Sequence, residues 1–558
     1  MTGAAGQRPT PGWEQTGLSA GSQPALATMQ ATERFLATLH PRTRESQRQA
    51  VLFVLIMSLG LFARVFEWGR LPPGLNADEA SIGVEAYNLA HFGVDRNGIS
   101  YPVHFIAWGS GQNALYGYVL IPFVATLGLS PLVVRLPMLL AGIASLPIFY
   151  FVARRTFNGS VGLLAMLLIA ISPWHILLSR WALESNLLPF VFLAAYACLL
   201  IGVTRRLWFF ASCLLCGLAM YAYGTAYAIV PVFMIGVIVI MARSSPLRRL
   251  DLALGALVFG LVVVPIGLFV IVNSLELSSI ALGPVTIPRL PVQARYEAAT
   301  VIGQGNLLAG MVANLWAALR LLAAESDGLI YNVVDPFGIF YRVCLPLASV
   351  GVVLLSYESR RKMRIEHQLL MAWIGAALVL AILQPVNINR FNIIFMPLLL
   401  CSACAVGWLG NRFRPALPAS VLLLLVAFAA FTLDYHGTSY RQQISQKFHD
   451  GLLPALRYAE SKADTTVCVT DEINMPYIFA LFSGHTSPAD YLGTVRYVDA
   501  QAPFRQVVSF DRYVIGTQNC AGRTAVTYVL TTDEIPPRFG NRYSYEFFGN
   551  FVVYYPKR

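Results

Sequence analysis

The chain reads as a polytopic α-helical membrane protein that ends in an α/β domain outside the bilayer. Three observations lead there. Apolar runs of about 17 residues and more recur along the sequence, long enough to cross a membrane as helices. Of the 558 residues, 56% are hydrophobic and only 12% are charged, with mean hydropathy +0.59; a soluble domain carries about 25% charged residues. From Asp434 onward the apolar runs stop and the composition becomes that of a soluble domain. The formal charge of +11 does not point to nucleic acid, because the arginines gather in short loops between apolar runs.

The elements follow in order. Residues 1–50 are rich in Gly, Gln, Ser and Thr and end in Arg42, Arg44 and Arg48; they are expected to be a disordered cytoplasmic tail. A cleavable signal peptide would place its apolar core nearer the start, so Val51 to Phe66 is expected to be a retained anchor. Further spans are expected at 132–152, 161–177, 187–203, 207–221, 227–241, 252–272, 339–356, 369–383, 391–409 and 417–433, about eleven in all with the first. Two other apolar stretches are expected to lie at the outer interface. Residues 113–129 contain Pro122 and are marginal in length. Residues 306–325 place Leu308, Met311, Leu315, Leu319 and Leu322 on one helical stripe. The membrane domain thus covers 51–433, with external loops 67–130 and 273–336.

Charge decides the orientation. Seventeen basic residues fall on one side: four from Arg34 to Arg48, then the Arg154-Arg155, Arg205-Arg206, Arg243/Arg248-Arg249, Arg360-to-Arg364 and Arg412/Arg414 clusters. The short loops on the other side carry Arg180 and Arg390. The positive-inside rule then places the N-terminus in the cytoplasm and residues 434–558 outside the plasma (inner) membrane. Making 113–129 a crossing would reverse every later cluster.

The external region 434–558 alternates helical and strand patterns: helices at 452–461 and 476–482, strands at 466–470, near Tyr513 and at 526–531, and a hairpin of 543–548 and 551–555 around Gly549-Asn550. Six of the eight cysteines lie in spans, where Cys213/Cys216 and Cys401/Cys404 read as small packing residues. Cys468 and Cys520 are the only external pair; two cysteines carry no pattern, so bridged and free forms both stay open. No histidine spacing forms a zinc signature, so no cofactor and no required metal is expected, and a divalent ion stays open.

Chemistry is expected on the external side. Asp78 and Glu79 lie just past the first span, in Pro72-Pro73-Gly74-Leu75-Asn76-Ala77-Asp78-Glu79-Ala80. An acidic pair there is a good place to activate a hydroxyl. Ser172-Pro173 closes the third expected span, followed by Ser179-Arg180-Trp181 and Glu184; Asn389-Arg390-Phe391 opens the tenth, followed by Met396-Pro397. In these features the chain resembles the membrane glycosyltransferases that take sugars from polyprenyl-phosphate carriers, the protein O-mannosyltransferases and the aminoarabinose transferase of lipid A, within the GT-C superfamily. The likeness covers about 51–433 in order and topology.

The resemblance implies roles. Asp78 is the catalytic carboxylate that takes the acceptor's proton, and Glu79 is its support or an acceptor ligand. Arg180 and Arg390 hold the donor phosphate, since arginines can replace a divalent metal as the charge clamp. Glu184 buttresses Arg180. Asp327 and Asn332 match a donor-pocket segment loosely, and Tyr223 lines another outer mouth. A single carboxylate base implies inversion at the sugar carbon. The partners implied are a polyprenyl-phosphate sugar, membrane lipids, and an acceptor glycan, lipid or protein. The Asp-x-Asp and Trp-Trp-Asp patterns of the oligosaccharyltransferases are absent. The competing expectation is a lipid-linked sugar flippase without transfer chemistry; transporters, however, carry mid-membrane charges and repeats, and here the charges gather at one face.

Overall fold

A computed structural model of the protein describes residues 44–292, 306–362, 364–502, 504–536 and 542–557. Most of the expected tail, residues 1–43, lies outside the described residues. Its last part is not a tail: the first helix begins at Arg44 and runs to Val65.

Among the described residues, nine helices are long and apolar enough to cross a membrane. Eight coincide with expected spans; the ninth is Leu307–Ala324. Three expected spans differ. Helix Gly159–Ile171 stops early at Ser172-Pro173 and restarts as the short helix Pro173–Leu178, because a proline cannot donate to the ladder and clashes with the preceding turn. Helix Arg206–Ala219 is only 14 residues long. The eighth span starts at Cys344, not Ile339, and ends in charged turns at Lys362.

Leu307–Ala324, expected at the outer interface, is long and apolar enough to cross a membrane. Asn314, near its midpoint, donates to the carbonyl of Ile382, one residue from the end of helix Ile365–Leu383. The buried side is Asn314, Ala318 and Leu321; of the apolar stripe, Leu308 and Leu319 face outward with Val312 and Trp316, as suits contact with lipid.

The stretch after the first helix holds helix Ala77–Phe92, the short antiparallel pair β1 (His104–Phe105) and β2 (Gln112–Asn113), and helix Leu115–Leu127. At 13 residues, about 20 Å, that last helix is too short to cross the bilayer. The second loop carries the hairpin β3 (Ile280–Leu282) and β4 (Val285–Ile287). It is stitched to the first loop where Val103 donates to the Thr286 carbonyl at 3.0 Å.

After helix Ala416–Tyr435, helix Thr438–Lys447 leads into the C-terminal region. Its sheet has seven strands: β5 (Thr466–Val469), β6 (Arg496–Tyr497), β7 (Val507–Phe510), β8 (Tyr513–Ile515), β9 (Val526–Thr531), β10 (Tyr543–Phe548) and β11 (Phe551–Pro556), in the order β10-β11-β9-β5-β8-β7-β6. β5 runs parallel to both β8 and β9; the other pairings are antiparallel. Cys468 and Cys520 form a disulfide within the buried cluster of Val514, Val526, Leu530 and Val552. Strands β6 and β7 and helix Pro488–Thr494 were not expected; they are short and their apolar residues do not alternate.

Candidate active site

The site grows from the ends of two helices. Helix Arg44–Val65 leaves its last carbonyls without intrahelical partners, as every helix does. Arg180 supplies them: its guanidinium donates to the carbonyls of Phe66 (2.8 Å), Leu71 (3.1 Å), Arg64 (3.2 Å) and Ala63 (3.3 Å). The side chain is 1% exposed and lies against the Tyr435 ring. Arg180 was expected to face a phosphate; its Nε and Nη1 hold the end of the first helix and the turn after it, while its buried Nη2 makes no hydrogen bond among the described residues. Arg64 plays the same part for the broken helix, donating to Ile169 and Ala170, and to Nδ1 of His175 at 2.7 Å. A guanidinium only donates, so that nitrogen accepts.

Asn76 caps helix Ala77–Phe92. Its Oδ1 accepts from the Asp78 amide, while Glu79 Oε2 accepts from the Asn76 amide, the reciprocal arrangement of a capping box. Glu79 is fully buried. Both of its oxygens accept from Arg135 at 2.7 Å, and Oε1 also accepts from the Ala182 amide at 2.9 Å. Arg135 donates further to the carbonyls of Pro72 and Gly74. Gly74 adopts φ +68° and packs directly on the Phe448 carbonyl, leaving no room for a Cβ. The pair Glu79–Arg135 therefore locks the whole 72–79 loop. Glu79 spends its hydrogen bonds on Arg135 and on backbone amides of this loop and of Ala182.

Asp78, one residue earlier, is only half-buried, because adjacent residues at a helix start point in different directions. Its charge is felt by Tyr331, whose phenol is pushed up by burial first and by Asp327 and Asp78 after that. Tyr331 packs on Trp181, and Trp181 on Phe448, each with ring centroids 5.5 Å apart. Asp327 accepts from Asn332 Nδ2 at 2.8 Å and from the Ile388 amide at 3.2 Å. Asp327 and Asn332 thus tie the loop beside Asp78 to the turn that carries Arg390.

Three expected residues meet in one cavity of about 110 Å³. Glu184, Tyr223 and Arg390 line it with His104, Asn113 and Gln384. Glu184 does not buttress Arg180 as expected; it opens helix Glu184–Gly202 and accepts from the Asn113 amide. Arg390 is partly exposed, and its Nη1 donates to the Pro385 carbonyl at 3.2 Å. Asp78 does not line the cavity. The turn 181–184 links the two, with Ala182 on Glu79 and Glu184 in the cavity wall.

Sequence reasoning passed over Arg135, Trp181, Tyr331, His104, Asn113 and Gln384. Arg135 had a signal, an isolated charge inside an apolar span. The others are common residue types brought in by loop closure.

The geometry therefore defines a membrane protein with a carboxylate and a cation-lined cavity at one face, and comparison with known proteins agrees on the class. The family model for dolichyl-phosphate-mannose-protein mannosyltransferase matches residues 113–269. ArnT from Cupriavidus metallidurans bound to undecaprenyl phosphate superposes with TM-score 0.54 at 15% identity, over 90% of this chain and 97% of that one; its apo form gives 0.52 over 91% and 98% at 15% identity. The Archaeoglobus fulgidus oligosaccharyltransferase in complex with zinc and sulfate gives 0.49 at 12% identity, over 78% of this chain, which spans 62% of that protein's length. No curated protein sequence matches the chain. The family model thus matches one part of this multi-pass membrane protein, residues 113–269, and nearly the whole chain shares the fold of ArnT.

Proposed function

We propose that the protein is an inverting glycosyltransferase that moves a sugar from a polyprenyl phosphate to an acceptor hydroxyl on the outer face of the plasma membrane. The observation that carries this reading is the division of labour between neighbours. Glu79 is consumed in locking its loop, while Asp78 is held half-buried at the helix start, linked through Glu79 and the turn 181–184 to the cavity that Arg390 lines. Asp78 takes the proton from the acceptor hydroxyl. The acceptor oxygen bonds to the anomeric carbon from the face opposite the phosphate. The bond from that carbon to the phosphate oxygen breaks, and its electron pair leaves on the polyprenyl monophosphate. Arg390 faces the charge that gathers there, and the leaving group needs no general acid. The donor's isoprenoid chain stays in the membrane. The acceptor is a glycan, a lipid or a protein.

The test is radiolabel transfer from polyprenyl-phosphate sugars into membrane fractions with and without the protein. Protein-dependent labelling of an acceptor is expected; donor movement across the bilayer without labelling would turn the reading to a flippase. The orientation has its own test. A C-terminal reporter that works only in the cytosol is expected to stay silent, and an active one would put the carboxylate on the wrong face.

A further inference from the structure

A second cavity, of about 720 Å³, opens in the external region far along the sequence from the residues above. It sits at the carboxyl ends of two adjacent parallel strands, β5 and β9. From β5 the chain leaves toward the β8 side of the sheet, and from β9 toward β11. The two departing loops part and leave a crevice, which is where open α/β sheets bind ligands. Its volume falls in the usual range for ligand sites, about 300–1,000 Å³.

The walls are held in place. Thr532 donates from its amide to the Asn550 carbonyl, and Asn550 from its amide to the Asp450 carbonyl. Glu534 accepts from the Thr531 amide. His449 is stacked edge-on against Phe479. Glu472, Asp533 and Glu534 make the crevice acidic, and burial holds the His449 imidazole down to about 4, so no positive charge on that ring offsets them. Phosphate, sulfate and uronate groups are therefore repelled. What remains is a set of carboxylates, amides and hydroxyls beside Ile473 and Ile535, able to accept and donate to groups that do both, next to apolar surface. Sugar rings present that combination of hydroxyls and C–H faces.

Position supplies the link to chemistry. The segment 446–450 forms one wall of the crevice and also touches the loop that presents Asp78: Leu75 donates to the Phe448 carbonyl at 2.6 Å, three residues before Asp78. We propose that the crevice binds an uncharged saccharide chain that continues the acceptor, so that its reacting end reaches Asp78. The word acceptor here rests on the glycosyltransferase reading; the binding of a neutral saccharide does not.

The test uses the full-length protein in lipid nanodiscs on an array of neutral, phosphorylated and uronate-bearing oligosaccharides, with a lysine-rich peptide as a further probe. Neutral oligosaccharides are expected to be retained, with about tenfold or more weakening in Asp533→Asn and in Thr532→Val, since each removes a hydrogen-bonding group from the ligand. Both residues are exposed, and matched melting temperatures check that the fold is intact. Failure to retain any neutral oligosaccharide, retention unmoved by both variants, or preference for anionic glycans or the basic peptide overturns the proposal. Saccharide binding without sugar transfer would instead overturn the enzymatic reading and leave the binding site standing.

Discussion

The turn at Arg180 and the turn at Arg390 both bring an arginine to the end of a membrane helix, yet they are built for opposite purposes. Around Arg180 the first helix has just ended, so carbonyls at its end and in the turn after it crowd the site. The guanidinium is drawn inward and spent on four of them. Around Arg390 the chain is already served by side-chain caps: Asn387 accepts from the Arg390 amide and Asp327 from the Ile388 amide. That arginine is left partly exposed in a cavity. The local demand of the backbone, more than the presence of the charge, decides whether an arginine at a helix mouth holds the fold or meets a ligand.

The largest effect that separates the two turns is on stability. Arg180→Ala is expected to cost about 3–5 kcal/mol, because several buried carbonyls lose their partner together, whereas Arg390→Ala stays within about 0.5 kcal/mol. Thermal unfolding of both variants in detergent measures this; equal melting temperatures would erase the distinction. Next comes Glu79→Gln. It leaves Arg135 charged and buried without its carboxylate, which is expected to cost about 3 kcal/mol, and the same melting experiment reads it.

Arg390→Ala is then expected to lower transfer about 10–100-fold with an unchanged melt, as loss of a charge-stabilising donor does. Arg390→Lys recovers only part, since lysine lacks the planar fork. Wild-type rates in both would return Arg390 to a structural role.

A pH-dependent effect lies in the loop after the first helix, where Glu85, Asp95 and Arg96 are buried together under Trp108 and Tyr477. The Asp95 carboxyl is pushed up to about 8, by burial first and by the Glu85 charge second. Its folded state holds a proton that the unfolded chain releases near pH 4, so stability falls as the pH rises from about 4 to about 8. Asp95→Asn is expected to flatten that slope and to melt higher than the wild type at pH 8 but not at pH 4. A variant with an unchanged slope contradicts this.

Much of the architecture was legible because it depends on periodic signals. Apolar runs gave the membrane helices, and the external strands Thr466–Val469 and Val526–Thr531 and the final hairpin fell where alternation and Gly549-Asn550 put them. What escaped was set by long-range contact. The shortened helix at Pro173 is satisfied by Arg64 of the first helix, too far along the chain for a sequence window to see. The same holds at the site. The meeting of Glu184, Tyr223 and Arg390 joins three separate helix starts, each noticed singly. The loss of Arg180 from that group could not be read without knowing which carbonyls stand open beside it.

The central claim is that Asp78 is the base and Glu79 its anchor. Single-turnover transfer from a polyprenyl-phosphate sugar, with Asp78→Asn and the wild type at matched folded protein, tests it most directly. The account predicts a fall of about 10²–10⁴-fold for Asp78→Asn, with donor binding and melting temperature near those of the wild type. Turnover of Asp78→Asn at the wild-type rate would contradict it.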